Sequence, residues 1–206
     1  MAVVITVAQQ KGGAGKTMLA ANLAALMAAS VRVAVLDIDP QRSLTRWHRL
    51  RGASLAAITH SDLSGWRLGA ELDRLRQSHD VLIVDSPPQA DTDARLAIRA
   101  AGLVLVPIQP SAPDLWAAAA TFELARAEKR PAWLVLNRVA GGGTLRKDIA
   151  AEIARADHPA LAAMLGNRIG FASAFARGMG VTEAAPRSLA AAELRALADE
   201  IRSKLA

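Results

Sequence analysis

The chain has 206 residues, no cysteine, no tyrosine and a formal charge of +6. That length suits one α/β domain with a substantial core, and the missing cysteines exclude both a disulfide framework and a thiolate metal site, which suits a reducing cytoplasm. The opening MAVVITVAQQ carries no basic stretch before its apolar run, unlike a signal peptide, and no apolar run approaches the roughly 18 residues of a membrane span.

Short apolar runs alternate with longer helical ones along the chain. Residues 3–8 read as a buried strand, and residues 16–29 as a helix with Leu19, Leu23, Leu26 and Met27 on one face. A second strand over 31–36 ends at Asp37, and Pro40 precedes a short helix over 43–50. A weak strand at 55–59, a helix at 68–77 and a strand at 81–84 ending at Asp85 follow. Next come a helix at 91–101, a strand at 103–107, a helix at 112–129 and a strand at 133–136. Glycines 141–143 read as a turn, 145–155 as a helix, 166–170 as a short extended piece and 188–205 as a closing helix. Strand-then-helix repetition with continuously apolar strands predicts an α/β fold, a mainly parallel twisted sheet with helices on both faces. Ligands of such sheets bind at the carboxyl ends of the strands, so Asp37, Asp39 and Asp85 should converge on one edge.

The densest chemistry lies between the first strand and the first helix, where the chain reads Q-Q-K-G-G-A-G-K-T. Glycines there let backbone N–H groups turn inward around phosphate oxygens, and the following helix adds its positive dipole end. Lys16 should reach the β- and γ-phosphates of a nucleotide, and the Thr17 hydroxyl should bind Mg²⁺. The general P-loop pattern has glycine where Gln10 stands, followed here by Lys11; KGGxGK[ST] is the deviant form with an extra signature lysine. An ordinary glycine turn is the competing reading, and the strand before and helix after argue against it.

Two acidic motifs complete the set. In V-A-V-L-D-I-D-P-Q, Asp37 and Asp39 alternate at a strand end and point the same way; they could hold waters of a Mg²⁺ or orient an attacking water. V-L-I-V-D-S-P-P has the form of a Walker B strand, with Asp85 reaching Mg²⁺ through a water.

These motifs, with the later P-I-Q-P-S-A-P-D-L-W, resemble the ParA/MinD group of deviant Walker ATPases, and D-P-Q-R-S-L-T-R-W narrows the likeness to small ParF-type ParA partition proteins and VirC-type relatives. The resemblance spans essentially the whole chain. It leaves no room for the N-terminal helix-turn-helix extension of longer ParA proteins. It implies ATP and Mg²⁺ as cofactors, an ATP-dependent homodimer in which Lys11 reaches the phosphates of the other protomer, binding to non-specific double-stranded DNA, and slow hydrolysis stimulated by a ParB-like or ParG-like partner. Such a cycle implies a cytoplasmic, nucleoid-associated protein that moves a plasmid or a protein cluster.

Carried over residue by residue, Gly12, Gly13, Ala14, Gly15, Lys16, Thr17 and Met18 would hold the nucleotide, and Asn137 would contact the adenine. Asp39 would position the hydrolytic water, Asp37 would support the Mg²⁺ shell and Asp85 would be the Walker B acid. Pro110, Ser111 and Asp114 match a loop near the nucleotide and dimer face. Gln89 departs from the family, where glycine commonly follows the paired prolines; Met18 replaces a usual second threonine.

DNA binding needs several cations near phosphates, and the C-terminal third supplies Arg146, Lys147, Arg155, Arg168, Arg177, Arg187 and others. Of these, Arg146, Arg168 and Arg187 are the candidate DNA contacts, the last two close to DNA-binding positions of related ParA proteins; a solvated basic face is the competing reading. MinD-type relatives use a C-terminal amphipathic helix on membranes. Here the last helix has packed-helix spacing without Phe or Trp, so no membrane binding is expected. The four histidines show no metal spacing and read as surface or turn residues.

Overall fold

A computed structural model of the chain describes residues 2–88, 92–140, 151–153, 155 and 158–205. Six strands, β1 (Val3–Val7), β2 (Val33–Asp37), β3 (Ile58–Ser61), β4 (Val81–Asp85), β5 (Leu103–Ile108) and β6 (Ala132–Leu136), form one sheet in the order β3-β2-β4-β1-β5-β6. Every neighbouring pair is parallel. The register sets Val7 beside Asp85 and Asp85 beside Asp37, so all three strands end at one level.

The helices are α1 (Lys16–Met27), α2 (Ser43–Arg49), α3 (Leu68–Arg76), α4 (Thr92–Ala100), α5 (Ala112–Ala127), α6 (Ile169–Phe175), α7 (Val181–Ala184) and α8 (Leu189–Leu205), with a 3-10 turn at Gly65–Arg67. Alternate strand residues face opposite layers. Ile5, Val7, Val33, Val35, Ile83 and Leu105 pack against α1, α2 and α6–α8. Val4, Leu36, Leu82 and Val84 meet α3 and α4, while Val104, Val106 and Leu134 meet α4 and α5.

The α1 helix is buried almost all round, because the C-terminal segment wraps its outer side. Gly180 makes this possible: a Cβ there would stand 2.5 Å from the Ala25 Cβ. Asn22 of α1 fixes the wrap by accepting the Val181 N–H at 2.8 Å. A second clasp joins the same segment to α2. The Trp47 indole donates to the Met179 carbonyl, and Arg51 forks onto Glu183 at 2.8 and 3.1 Å.

Three sequence expectations change. The weak strand lies at Ile58–Ser61, three residues later than expected. The extended piece at 166–170 reduces to a bridge between Val139 and Gly166, and the chain turns helical at Ile169. The helices α6 and α7 have no counterpart in the apolar periodicity, being too short to show one. The turn at 141–143, most of the helix at 145–155, Arg146 and Gln89 lie outside the described residues.

Candidate functional site

The phosphate loop leaves β1 and enters α1 through two glycines in the left-handed region, Gly13 at φ 82° and Gly15 at φ 92°. Only glycine takes that conformation without a steric cost. Gly15 is constrained twice, because a Cβ there would lie 2.3 Å from the Asn137 amide nitrogen. Asn137 sits so close because its amide donates to the Ala14 carbonyl at 2.9 Å while its side-chain oxygen accepts from the Arg138 N–H. Gln109 and Arg138 both donate to the Gly13 carbonyl at 3.3 Å. The end of β6 and the loop after β5 thus brace the cradle from outside.

Lys16 is buried, and its ammonium donates to the Gln9 carbonyl at 3.0 Å. Burial lowers its pKa, opposed by the charges of Asp85 and Asp39. Asp85, at the end of β4, is fully buried, and neither carboxylate oxygen has a hydrogen-bond partner. Its pKa is pushed up to about 8, chiefly by burial, with Asp37 and Asp39 adding to the rise and the Thr17 hydroxyl and Lys16 opposing it. A buried, unsatisfied carboxylate is costly; here it stands beside a hydroxyl and an ammonium at the mouth of a glycine cradle. Among the described residues no cluster of three acidic or histidine side chains could hold a metal by itself. The pair of a hydroxyl and one carboxylate fits Mg²⁺, which takes few protein ligands and shares phosphate oxygens.

Asp37 is equally buried but fully engaged. It accepts the Thr45 N–H and hydroxyl at 2.7 Å each and the Asp39 N–H at 3.2 Å. Thr45 in turn meets His60 at 2.9 Å, and His60 stacks on His48. Burial and the neighbouring His48 lower the His60 pKa. The histidines are therefore not all surface residues: His60 props the acidic loop, and His158 stacks on Phe122 with ring centroids 4.3 Å apart. Asp39 is half-buried and accepts the Gln41 N–H at 2.8 Å through one oxygen.

Lys11 is ion-paired within its own protomer to Asp114 at the start of α5. Asp114 also accepts the Ser111 hydroxyl at 2.6 Å and the Gln109 N–H. Burial raises the Asp114 pKa, but the bonds from Lys11, Ser111 and Gln109 outweigh it, and the net shift is downward.

Beyond the cradle lies a cavity of about 400 Å³, lined by Met18, Asn137, Arg138, Asn167, Arg168 and Phe171 among others. It is roomy enough for a purine and its ribose, and its wall at 165–172 comes from the C-terminal third, which the sequence motifs do not mark. Arg168 lies on this rim and forks onto Glu193 of α8. Arg187 is exposed on the turn before α8.

The family model for the CobQ/CobB/MinD/ParA nucleotide binding domain matches residues 5–181. The chain is similar to the Maintenance of carboxysome distribution protein A of Halothiobacillus neapolitanus, 29% identical over 199 residues that cover 92% of this chain and 91% of that protein. It is also similar to the chromosome-partitioning ATPase Soj of Thermus thermophilus, 28% identical, covering 98% and 96% of the two chains. In fold it is similar to the Cyanothece McdA–ATP complex, with a TM-score of 0.81 at 18% identity, covering 99% of this chain and 96% of that one.

Proposed function

This chain belongs to the CobQ/CobB/MinD/ParA nucleotide-binding family, and from that premise we propose that it is a ParA-like positioning ATPase. It binds ATP, pairs with a second copy through its ATP face, holds double-stranded DNA without sequence preference, and leaves it after partner-stimulated hydrolysis. The observation that carries the ATP site is the orphaned Asp85 carboxylate beside Thr17 and Lys16, at the end of a cradle built from left-handed glycines.

Thr17 and Asp85 would hold a Mg²⁺, which when bound supplies positive charge to the phosphates. Lys16 would exchange the Gln9 carbonyl for phosphate oxygens, since a buried ammonium gains more from a formal anion than from a carbonyl. Asp39, with one oxygen outside the Gln41 turn, is assigned to the attacking water. Asp37 is assigned to the scaffold rather than to the metal, because Thr45 and the Asp39 backbone occupy it. Lys11 is held by Asp114 in the single protomer; in the pair it would turn to the dense negative charge of the facing nucleotides.

A MinD-like membrane role is the weaker reading. The last helix buries Leu194, Leu197 and Ile201 in the core, and among the described residues no helix is long and apolar enough to cross a membrane.

The test is nucleotide uptake. Wild-type chain with Mg²⁺ should bind ATP by calorimetry, and Lys16→Ala should weaken that binding at least ten-fold at unchanged thermal stability. A wild-type chain that takes up no adenine nucleotide would sink the whole proposal.

A further inference from the structure

We propose that Arg138 lies flat over the purine of the bound nucleotide, and so makes the cavity beyond the phosphate loop select purine over pyrimidine nucleotides. This rests on the ATP site proposed above and adds a residue that joins its base and phosphate halves.

Arg138 follows β6 and stands at φ 53°, in the left-handed region. That conformation is uncommon for a residue with a side chain, and it persists only where the surroundings over-determine it. Here they do. The Asn137 N–H donates to the Ile108 carbonyl at 2.8 Å, the Arg138 N–H to the Asn137 side-chain oxygen at 3.0 Å, and the Val139 N–H to the Leu165 carbonyl at 2.9 Å. The backbone is pinned on both sides of the turn, and the turn delivers the arginine to the cavity, which it lines.

The guanidinium is underused there. One nitrogen donates to the Gly13 carbonyl at 3.3 Å. Gln109 makes the same bond at the same distance, so bracing that carbonyl does not call for an arginine. Among the described residues Arg138 has no carboxylate partner, and it is exposed. Arg168, which lines the same cavity, is by contrast forked onto Glu193.

What an arginine adds is a flat cation. A guanidinium stacks on an aromatic face, drawn by the negative charge of the ring's π-system. Anchored at Gly13, it borders a space whose other lining includes the apolar side chains of Met18, Leu165 and Phe171. A base in that space is covered by the guanidinium on one face and by apolar atoms on the other. Two fused rings offer more of both contacts than one, so purines gain more than pyrimidines. Phosphates occupy the inward-turned N–H groups of such a loop, whereas Arg138 reaches the loop from outside through a carbonyl.

The experiment compares dissociation constants for ATP and CTP, each with Mg²⁺, in wild type, Arg138→Lys and Arg138→Gly, by displacement of a fluorescent ATP analogue. Lysine keeps the charge and a donor for Gly13 but has no flat face. Glycine suits the left-handed turn, so that variant should melt no lower than wild type. In both variants ATP affinity should fall about ten-fold and CTP affinity by no more than about three-fold, the difference expected of one stacked base. Equal losses for ATP and CTP would assign Arg138 to the phosphates or to bracing the loop, and would overturn the proposal. So would an unchanged preference in both variants, or a loss in Arg138→Gly that is absent in Arg138→Lys, which would make the charge and not the plane responsible. Each of these outcomes leaves the ATP site standing; no uptake of ATP by wild type would overturn that site instead.

Discussion

The phosphate loop and the C-terminal third build adjoining parts of the candidate site, the cradle and the cavity beyond it, by opposite means. The loop is local: consecutive residues 11–17 create the cradle, and its bracing contacts from Gln109 and Arg138 come second. The wall at 165–172 is held mainly by distant contacts: Leu165 exchanges backbone bonds with Leu136 and Val139, the Asn167 N–H reaches the Val139 carbonyl, and the Gly166 N–H reaches Glu193. The segment that follows is tied down in the same way, with Gly180 against Ala25, Asn22 holding Val181, Trp47 holding Met179 and Arg51 holding Glu183. A local device tolerates almost no change in its own residues, whereas a wall held at many points should tolerate the loss of any one.

The largest effect should therefore follow Gly15→Ala. The left-handed backbone costs an L-residue roughly 1–2 kcal/mol. The methyl group must also displace Asn137, which sits 2.3 Å from its position and holds the Ala14 carbonyl. The variant should lose about one hundred-fold or more in ATP affinity by calorimetry and melt several degrees lower. An affinity within three-fold of wild type would show that the cradle is less rigid than its geometry implies.

What could be read from the sequence follows the same division. The sheet, its parallel order of strand and helix, and the convergence of Asp37, Asp39 and Asp85 are encoded by runs of neighbouring residues. Asp37 shows the limit: its spacing marks it as an active-site acid, yet Thr45, eight residues on, occupies its carboxylate. The pairing of Lys11 with Asp114 spans 103 positions, and no local pattern announces it. The helices α6 and α7 have seven and four residues, too few for a 3.6-residue period to stand out, and their burial depends on α1 having small alanines to receive them.

A second prediction concerns pH, on the loop side of the comparison. In the free protein the Asp85 carboxyl stays protonated up to about pH 8, while in the unfolded chain it ionises near 3.8. Between those values the folded state binds more protons than the unfolded state. Stability must then fall as pH rises through the window, and level off above it. Asp85→Asn should remove this contribution. Nucleotide-free variant and wild type should melt closest together near pH 4, and the variant should gain steadily up to pH 8, while losing Mg²⁺-dependent turnover. A difference in melting temperature that stays constant across that range would show that Asp85 is ionised in the folded protein.

The smallest effect belongs to the wall. Arg168→Met keeps the aliphatic stem on the cavity rim and removes the fork onto Glu193. The arginine side chain is 39% exposed, so the pair is screened and worth at most about 1 kcal/mol. Glu193 keeps the Gly166 N–H at 3.1 Å, which anchors the rim without the arginine. Elsewhere Glu200 holds the Ala162 and Ala163 N–H groups, so the segment leading to the wall stays fixed as well. Melting temperature should move by a few degrees at most, and ATP affinity by about two- to three-fold, the loss arising from the base side of the cavity. It should therefore appear equally with ADP, whose terminal phosphate does not matter to the wall. A loss as large as that of Gly15→Ala would mean that Arg168 touches the nucleotide directly, and that the wall is as exacting as the loop.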